Sequence, residues 1–321
     1  MASATNSETT AHHATGTIEI SVVVPVYNEA ASIADLIHNI RDVLKRLGRV
    51  FEILVVDDAS MDGSGEQARA AGAKVISHPC NLGNGAAVKT GMRQARGDIS
   101  VLLDGDGQHG AADIPSLLEK LDQGFDMAVG ARSRNCQANL GRMLANGFYN
   151  RMATWMTGRR IDDLTSGFRA VRTAKFREFL HLLPNGFSYP TTITMAFFRS
   201  GYPVTYVPIT AGKRPRSSSS SIRPLRDGMR FLIIILRIGT LYSPMKIFLP
   251  SSMAFFLLGL GYYLYTYATA GRFTNMSALL LTTSVFVFLI GLVSEQITQL
   301  MYRPVIMPTS HRIETEIAKR Q

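Results

Sequence analysis

Two long stretches without a charged residue restrict the C-terminal third of the chain more than any other feature. One lies between Lys246 and Arg272, and the second lies between Arg272 and Glu295. Each is long enough for a helix to cross about 30 Å of hydrocarbon. Because only the short connector ATAGRFTNM joins them, we predict a hairpin of two transmembrane helices over residues 246–302. The alternative is a pair of buried helices in a soluble domain.

Basic residues surround this hairpin unevenly. The connector holds only Arg272, whereas the flanks outside the hairpin carry Arg230, Arg237, Lys246, Arg303, Arg312 and Lys319. The positive-inside rule therefore predicts an integral membrane protein whose N-terminal domain and both termini are cytoplasmic. It also predicts an interfacial position for Glu295.

The composition narrows the class of partner. The chain has 321 residues, is 46% hydrophobic and carries a net charge of +10, which favours an anionic partner. The basic residues cluster beside the spans, so lipid phosphate explains the charge better than nucleic acid does. Cys80 and Cys136 form neither a ligand cluster nor a disulfide framework, which indicates a reducing compartment. The sequence is compatible with a homo-oligomer.

Short apolar runs alternate with helical stretches between residues 18 and 212. The predicted strands lie in IEISVVVPV, FEILVVD, AKVISHP and DISVLLD, and a helix-like segment follows each. Repeated strand–helix units predict an α/β domain with a mostly parallel sheet covered on both faces. Residues 1–17 have no apolar core and are expected to form a disordered tail, and residues 303–321 a cytoplasmic tail.

Polar residues follow three of these strands. They are Pro25–Glu29, where Asn28 or a neighbour is expected to cap a helix, Asp57–Asp58, and Asp104–His109. Ligands bind at the carboxyl ends of strands in such sheets, so these ends predict one site. Ordinary turns and helix caps are the alternative for each segment taken alone. The segment NLGNGAAVKTG lacks both the dinucleotide fingerprint and the phosphate-loop motif.

Six motifs in order resemble a known family. They are VVVPVYNEA, VVDDASMDGS, NLGNGAAVKTG, LLDGDGQH, the GAR at 130–132 and the TSGFRA at 165–170. Together they resemble the family 2 glycosyltransferases of the polyprenyl-phosphate (dolichol-phosphate) mannose or glucose synthase type, over about residues 18–228. The hairpin is similar to that of a subgroup. The resemblance implies a GT-A (Rossmann-like) fold, a GDP- or UDP-hexose donor, a divalent metal and inversion at the anomeric carbon.

The resemblance also implies roles for individual residues. Donor binding would involve Pro25, Tyr27, Glu29, Val56, Asp58 and Gly105. Asp104, Asp106 and Gln108 would hold Mg²⁺ or Mn²⁺, whose hard character suits oxygen ligands, and with Arg132 they would form the catalytic group. Ser166, Gly167 and Phe168 would lie beside the sugar and the acceptor. Gly105 and Gly107 are expected to allow close backbone approach and unusual turn angles.

The chain departs from the family pattern in a basic loop. In KRPRSSSSSIRPLRDG, Arg214 and Arg216 match the family, whereas serine stands at 217 and 220 in place of glycine and lysine. Arg223 is the candidate for the missing charge, so the acceptor-phosphate set is Arg214, Arg216 and Arg223. Gly105 stands where mannose synthases often have alanine, and no Q-x-x-R-W motif of processive synthases occurs.

Two segments are candidates for contact with the membrane surface. Four arginines between 223 and 237 share one helical face beside the apolar FLIIIL, which predicts a basic loop and interfacial helix over 213–245. The alternative is a helix packed on the soluble domain. The segment at 139–158 carries an apolar stripe with Leu140, Leu144, Phe148 and Trp155, and it fits either a core helix or a membrane-facing one.

A lipid phosphate acceptor would simplify the chemistry. A phosphate monoester is already anionic and attacks without a general base, whereas a hydroxyl acceptor needs one. We therefore predict no essential base, with Asp163 as the candidate if the acceptor is a hydroxyl. The leading hypothesis is transfer of a hexose to polyprenyl phosphate. Its rivals are transfer to a hydroxyl-bearing lipid and a non-catalytic membrane protein that binds nucleotide sugars.

Overall fold

The computed structural model describes residues 17–107, 110–132, 140–186, 189–209, 240 and 242–302, with only the backbone described for Arg132, 140–146 and 148–149. Several predictions fall outside these ranges. They concern residues 1–16, Gln108, His109, the basic loop and interfacial helix up to residue 239, including Arg214, Arg216 and Arg223, and the tail 303–321. The predicted domain limits at 212 and 245 remain predictions.

One sheet organises the N-terminal domain, and within the described ranges it has seven strands. They are β1 (Ile20–Val26), β2 (Phe51–Asp57), β3 (Lys74–Ser77), β4 (Ile99–Leu102), β5 (Met127–Arg132), β6 (Arg169–Arg172) and β7 (Val204–Ile209). Their order is β3-β2-β1-β4-β6-β5-β7. All neighbours run parallel except β6, which is antiparallel to both β4 and β5. The predicted mostly parallel sheet is confirmed.

Helices cover both faces of the sheet. Those that the structure describes are α1 (Ala30–Arg46), α2 (Ser64–Ala70), α3 (Asn84–Gln94), α4 (Ile114–Asp122), α5 (Leu140–Thr157), α6 (Thr173–Arg177), α7 (Tyr189–Arg199), α8 (Met245–Ala270) and α9 (Asn275–Met301). β1 shows why two layers form. Val22 and Val24 point to the core beneath α1, α2 and α4, whereas Val23 points to the core beneath α3, α6 and α7. Alternate side chains leave a strand on opposite faces, so a continuous apolar run needs cover on both.

The order of strands creates one crevice. From β1 the chain extends to β2 and β3 on one side, and to β4 and the remaining strands on the other. The loops after β1 and β4 therefore leave the sheet in opposite directions and separate at its carboxyl edge. This is the position at which open α/β sheets bind ligands.

The C-terminal helices α8 and α9 form a pair with an unusual distribution of side chains. Their buried residues are small and recur every seventh position: Ser252, Gly259 and Thr266 in α8, and Ser277, Ser284, Gly291 and Thr298 in α9. Large apolar side chains such as Leu257 and Phe286 face outward. Both helices are long and apolar enough to cross a membrane. A pair with small residues inside and large apolar residues outside suits lipid rather than water, which favours the predicted hairpin over buried soluble helices.

Charged and aromatic groups join the hairpin to the domain. Arg199, at the end of α7, donates to Glu295 of α9 over 3.3 Å, and its guanidinium stacks on the rings of Tyr242 and Tyr302. Lys246 in the first turn of α8 donates to two backbone carbonyls at the end of α5. The interfacial position predicted for Glu295 agrees with this ion pair at the end of the span.

We predict that a single methyl group added at the contact between α8 and α9 destabilises the protein. A β-carbon at Gly291 would lie 2.6 Å from the β-carbon of Phe248, whereas one at Gly261 would meet nothing within 4 Å. Gly291→Ala should therefore lower the free energy of unfolding by about 1–3 kcal/mol through overpacking. Thermal unfolding in detergent measures the loss.

Gly261→Ala is the matched control, because alanine improves helix propensity without crowding. It should leave the melting temperature equal to or above that of the wild type. Equal melting temperatures for the two variants would contradict the packing described for α8 and α9.

Candidate active site

A cleft of about 430 Å³ opens at the carboxyl ends of β1, β2 and β4. Its lining residues come from the end of β1, from the loops after β1, β2, β3 and β4, and from the start of α3. They are Pro25, Val26, Tyr27, Glu29, Asp58, Asn81, Gly83, Asn84, Ala87, Asp104, Gly105 and Asp106. The three strand ends that the sequence singled out thus meet at one site, at the point where the strand order reverses.

The loops after β1 and β2 hold each other in place. Asn28, with a φ of 55°, accepts from the backbone N–H of Met61 at 2.9 Å and donates its own N–H to Ser60. The N–H groups at the start of α1 donate to residues that follow β2, from Glu29 to Ser64 at the start of α2 and from Ala30 to Asp62 in the loop. The cap expected at Asn28 or a neighbour is confirmed in its position. Glu29 occupies the cap position, but its side chain makes no capping bond.

Three hydrogen bonds hold the carboxylate of Asp58. Its Oδ1 accepts from the backbone N–H of Leu82 at 2.9 Å, and its Oδ2 accepts from Gly83 at 2.7 Å. The imidazole Nδ1 of His78 lies 2.7 Å from Oδ1, and since an ionised carboxylate only accepts, Nδ1 donates. The other ring nitrogen of His78 lies 2.9 Å from the hydroxyl of Thr90 on α3.

These contacts decide the charge of Asp58. Burial acts to raise the pKa of its carboxyl, but the hydrogen bonds from Leu82, His78 and Gly83 outweigh burial and hold the pKa below its ordinary value. The carboxylate is thus ionised at neutral pH. It is fixed between the end of β2 and the start of α3, and it is one of the residues that line the cleft.

Asp104 and Asp106 follow β4 on a loop that packs tightly against β1. A β-carbon at Gly105 would lie 3.0 Å from the carbonyl oxygen of Pro25, and the hydroxyl of Ser32 donates to the carbonyl of Gly105 at 3.0 Å. Gly107 has a φ of 68°, as expected from its turn. The close approach at Gly105 is thus to the protein's own backbone, and it places the carboxylates on either side of this residue at the cleft.

The loop before β6 lies directly behind Asp104. A β-carbon at Gly167 would lie 2.5 Å from Oδ2 of Asp104, so only glycine allows this approach. Tyr189 of α7 donates its hydroxyl to the carbonyl of Gly167 at 3.4 Å. Ser166 and Phe168 are fully buried. Of the three acceptor-loop residues, the structure brings Gly167 against the aspartate and places the other two in the core.

The remaining predicted residues are not among the described residues that line the cleft. Val56 is fully buried under α3 and is not a lining residue of the cleft, so its part in nucleoside binding remains a prediction. The backbone of Arg132 ends β5 at the same edge of the sheet. Gln108 lies outside the described residues. Asp163 is buried, and its Oδ1 accepts from both the N–H and the hydroxyl of Thr165 at 3.0 Å.

The donor set of the cleft fits a hard divalent cation. Asp104 and Asp106 both line it and offer only oxygen, which suits Mg²⁺ or Mn²⁺. The part of the chain that the structure describes has no group of three or more His, Cys, Asp or Glu side chains able to hold a metal. A bound ion would therefore take its other ligands from the substrate, from water or from residues such as Gln108.

Two contributors were not identified from the sequence. His78 orients Asp58, and the signal for it is only its position directly after β3. Arg169 is fully buried beneath the loop, where it donates to the carbonyls of Ser166 and Pro190. Its Nε has no hydrogen-bond partner among the described residues. An arginine in the short segment RAVR is expected at the surface, so the sequence does not indicate that Arg169 is buried.

Comparison with known proteins agrees with the fold and the cleft. The model of Glycosyl transferase family 2 matches residues 21–180, and that of the GtrB C-terminal hairpin matches residues 243–300. Glycosyltransferase AglJ of Haloferax volcanii is 31% identical over 77% of this chain and 80% of its own length. The undecaprenyl-phosphate 4-deoxy-4-formamido-L-arabinose transferase of Klebsiella pneumoniae is 36% identical over 48% of this chain. The match covers 49% of that transferase, so this chain spans about half of it.

Solved structures share the architecture. Glucosyl-3-phosphoglycerate synthase of Mycobacterium tuberculosis with Mn²⁺, UDP-glucose and phosphoglyceric acid has a TM-score of 0.54 and 21% identity, covering 68% of this chain and 79% of its own. The same enzyme with Mg²⁺ and UDP has a TM-score of 0.53 and 22% identity over the same shares of each chain. At these identities the likeness shows the fold.

Fold, cleft and hairpin together define a membrane-anchored glycosyltransferase with a GT-A-like catalytic domain. The chain belongs to glycosyltransferase family 2, and it carries the hairpin of the GtrB type at its C-terminal end.

We predict that Asp58 stabilises the domain in a pH-dependent way. Asp58→Asn leaves a buried N–H donor facing an amide, which should lower the free energy of unfolding by about 1–3 kcal/mol near pH 7. Because the pKa of Asp58 is depressed in the folded protein, its contribution is present above the ordinary value of 3.8 and lost as pH falls through the folded pKa. Thermal unfolding at neutral and acidic pH measures the difference.

Asp35→Asn, which removes an exposed carboxylate of α1, is the control and should change stability little at either pH. A loss for Asp58→Asn that is equally large at about pH 3 would contradict the assigned role of its charge.

Proposed function

We propose that the protein transfers one hexose from a nucleotide-diphosphate sugar to polyprenyl phosphate, with inversion, at the cytoplasmic face of a membrane. The observation that carries the proposal is the contact between Asp104 of the donor cleft and Gly167 of the loop before β6. The same loop is braced by α5 and α7, which the hairpin contacts directly. Hydrogen bonds and an ion pair therefore connect the loop beside the cleft to the hairpin, which would cross the membrane from which a lipid acceptor arrives.

For the donor, we assign the nucleoside to the half of the cleft beneath α3. Asp58 is ionised, fixed by three hydrogen bonds and part of the lining of the cleft, so it suits an N–H or hydroxyl donor of the base or ribose. Tyr27 is half exposed at the mouth, where its ring offers a stacking surface. Pro25, Glu29 and Val56 complete this set. Either GDP or UDP is compatible with such contacts.

The diphosphate would lie at the carboxylates after β4. Asp104 and Asp106, with Gln108, would hold a divalent ion there, and that ion would neutralise negative charge on the leaving diphosphate. Arg132 at the end of β5 would contact the diphosphate and the sugar. Mn²⁺ and Mg²⁺ occur in the M. tuberculosis synthase of similar fold, which supports a divalent metal in this site.

For the acceptor, we favour a phosphate over a hydroxyl. The name of the Klebsiella relative specifies undecaprenyl phosphate, and a phosphate monoester attacks the anomeric carbon without a base. Asp163 accepts two bonds from Thr165, two residues along the chain, which is the pattern of a turn acceptor. Arg214, Arg216 and Arg223 would hold the acceptor phosphate in line. The basic flanks of the hairpin support the cytoplasmic orientation.

We predict that transfer depends on Asp106 and not on Asp163. Asp106→Ala should abolish transfer because it removes one of the two carboxylates at the proposed diphosphate site, whereas Asp163→Asn keeps an oxygen acceptor for Thr165 and should retain most activity. The assay uses purified protein in polyprenyl-phosphate vesicles with Mg²⁺ or Mn²⁺ and a panel of GDP- and UDP-hexoses.

The two variants also separate the rival functions. Loss of activity in Asp163→Asn, together with transfer to a lipid alcohol, would favour a hydroxyl acceptor. If the wild type binds nucleotide sugars but transfers no hexose from any donor, the result would favour a non-catalytic binding protein.

We predict that the glycine behind Asp104 is required for rate. Gly167→Ala forces Asp104 out of position, and a displacement of about 1 Å at a reacting centre costs on the order of 100-fold. We expect the turnover number to fall about 10- to 100-fold and the concentration of metal needed for half-maximal rate to rise. Gly147→Ala, where an added β-carbon meets nothing within 4 Å, should leave both values unchanged. Equal rates for these variants would contradict the role of Gly167.

A further inference from the structure

The C-terminal half of α5 has two opposite faces. On one face, Ala153 and Met156 are buried against Met195 of α7 and Tyr242 beside the hairpin. On the other face, the side chain of Trp155 is 55% exposed. Arg151, one turn earlier, and Arg159, just beyond the helix, are exposed as well. We call Arg151, Trp155 and Arg159 the Trp155 face.

A direct contact fixes the height of this face relative to the membrane. Lys246 lies in the first turn of α8, and its Nζ donates to the carbonyl oxygens of Met156 at 2.8 Å and Trp155 at 3.3 Å. A cation at these carbonyls is favourable because they carry the negative end of the α5 dipole. The end of α5 is therefore held level with the beginning of the first transmembrane helix, where the headgroup layer lies.

The chemistry of the exposed residues fits that layer. An indole prefers the membrane–water interface because it combines a large apolar ring with one polar N–H. Arginine side chains beside it attract anionic lipid phosphates. We propose that the Trp155 face docks on the headgroup layer of the same membrane that the hairpin crosses, with anionic lipids as its partners. Continuity with the hairpin and the positive charge of the face together select lipid as the occupant.

Docking has a consequence for the loop that faces Asp104. Asn150 of α5 donates to the carbonyl of Asp162 at 2.7 Å and accepts from the N–H of Leu164 at 3.2 Å. The helix thus carries the segment that leads into Gly167. Contact between the Trp155 face and lipid would set the height of this loop above the headgroups, and hence the distance at which a membrane-embedded acceptor meets the cleft. This consequence rests on the proposed function, whereas the docking itself does not.

The chain supplies its own probe, because Trp155 is its single tryptophan. The experiment places the full-length protein in vesicles of phosphatidylglycerol and phosphatidylcholine that carry spin labels at the headgroup or deep in the acyl chain. We expect strong quenching of Trp155 by the headgroup label, weaker quenching by the deep label, and poor quenching by aqueous iodide.

A relocated tryptophan is the matched control. Trp155→Phe combined with Leu47→Trp moves the indole to the end of α1, on the opposite face of the sheet from the hairpin, where Leu47 is 40% exposed. This variant should be quenched by iodide and not by lipid labels. Quenching of Trp155 by iodide as strong as in this control, without quenching by the headgroup label, would overturn the proposal.

The lipid charge is tested separately. Replacing phosphatidylglycerol by phosphatidylcholine should reduce quenching by the headgroup label in the wild type, and Arg151→Gln with Arg159→Gln should remove that difference. A difference that persists in the double variant would overturn the role of the arginines.

Kinetics then separates docking from the proposed transfer reaction. Trp155→Ser should raise the KM for a long-chain polyprenyl phosphate in vesicles by about fivefold, as expected for the loss of one interfacial contact. It should leave the KM for a short, water-soluble prenyl phosphate unchanged, and Trp155→Tyr should restore the wild-type value. An equal rise in KM for both acceptors would show a merely structural role. If no transfer occurs at all, the fluorescence result still decides the docking.

Discussion

Parallel pairing of β1 with both β2 and β4 is the constraint on which the rest of the molecule depends. It brings three strand ends to one edge and opens the cleft where the connections diverge. It also buries β1 on both faces, which is why Val22, Val23 and Val24 form a continuous apolar run. The polar residues that follow these strands are thereby held at fixed positions around one small volume.

Fixed loops, rather than local turn propensities, shape the cleft. The helix that follows β1 takes its capping groups from the loop after β2, and Asp58 joins β2 to α3 through His78 and two backbone N–H groups. Each bond spans elements that are distant in sequence. A carboxylate held in this way needs little reorganisation when a ligand binds, which is how preorganised sites gain rate and affinity.

Much of the domain could be predicted from the sequence because each strand–helix unit carries its own apolar periodicity and ends in polar residues. The antiparallel strand β6 could not, since four residues with two arginines carry no signal of direction or partner. The burial of Arg169 and the cross-loop capping of α1 likewise depend on residues that only the folded chain brings near. In the hairpin, the length of the apolar segments and their lack of charge predicted the spans. The small residues that meet between α8 and α9 can be recognised only when the two helices are aligned.

The structure of the product is the sharpest test of whether this protein joins a sugar to a lipid phosphate. Nuclear magnetic resonance of the purified glycolipid, made from an α-linked nucleotide hexose and polyprenyl phosphate, reports both the linkage and the anomeric configuration. We expect a glycosyl phosphodiester with the β configuration, because transfer with inversion converts an α-linked donor into a β-linked product. A sugar linked through a lipid hydroxyl, or retention of the α configuration, would contradict it.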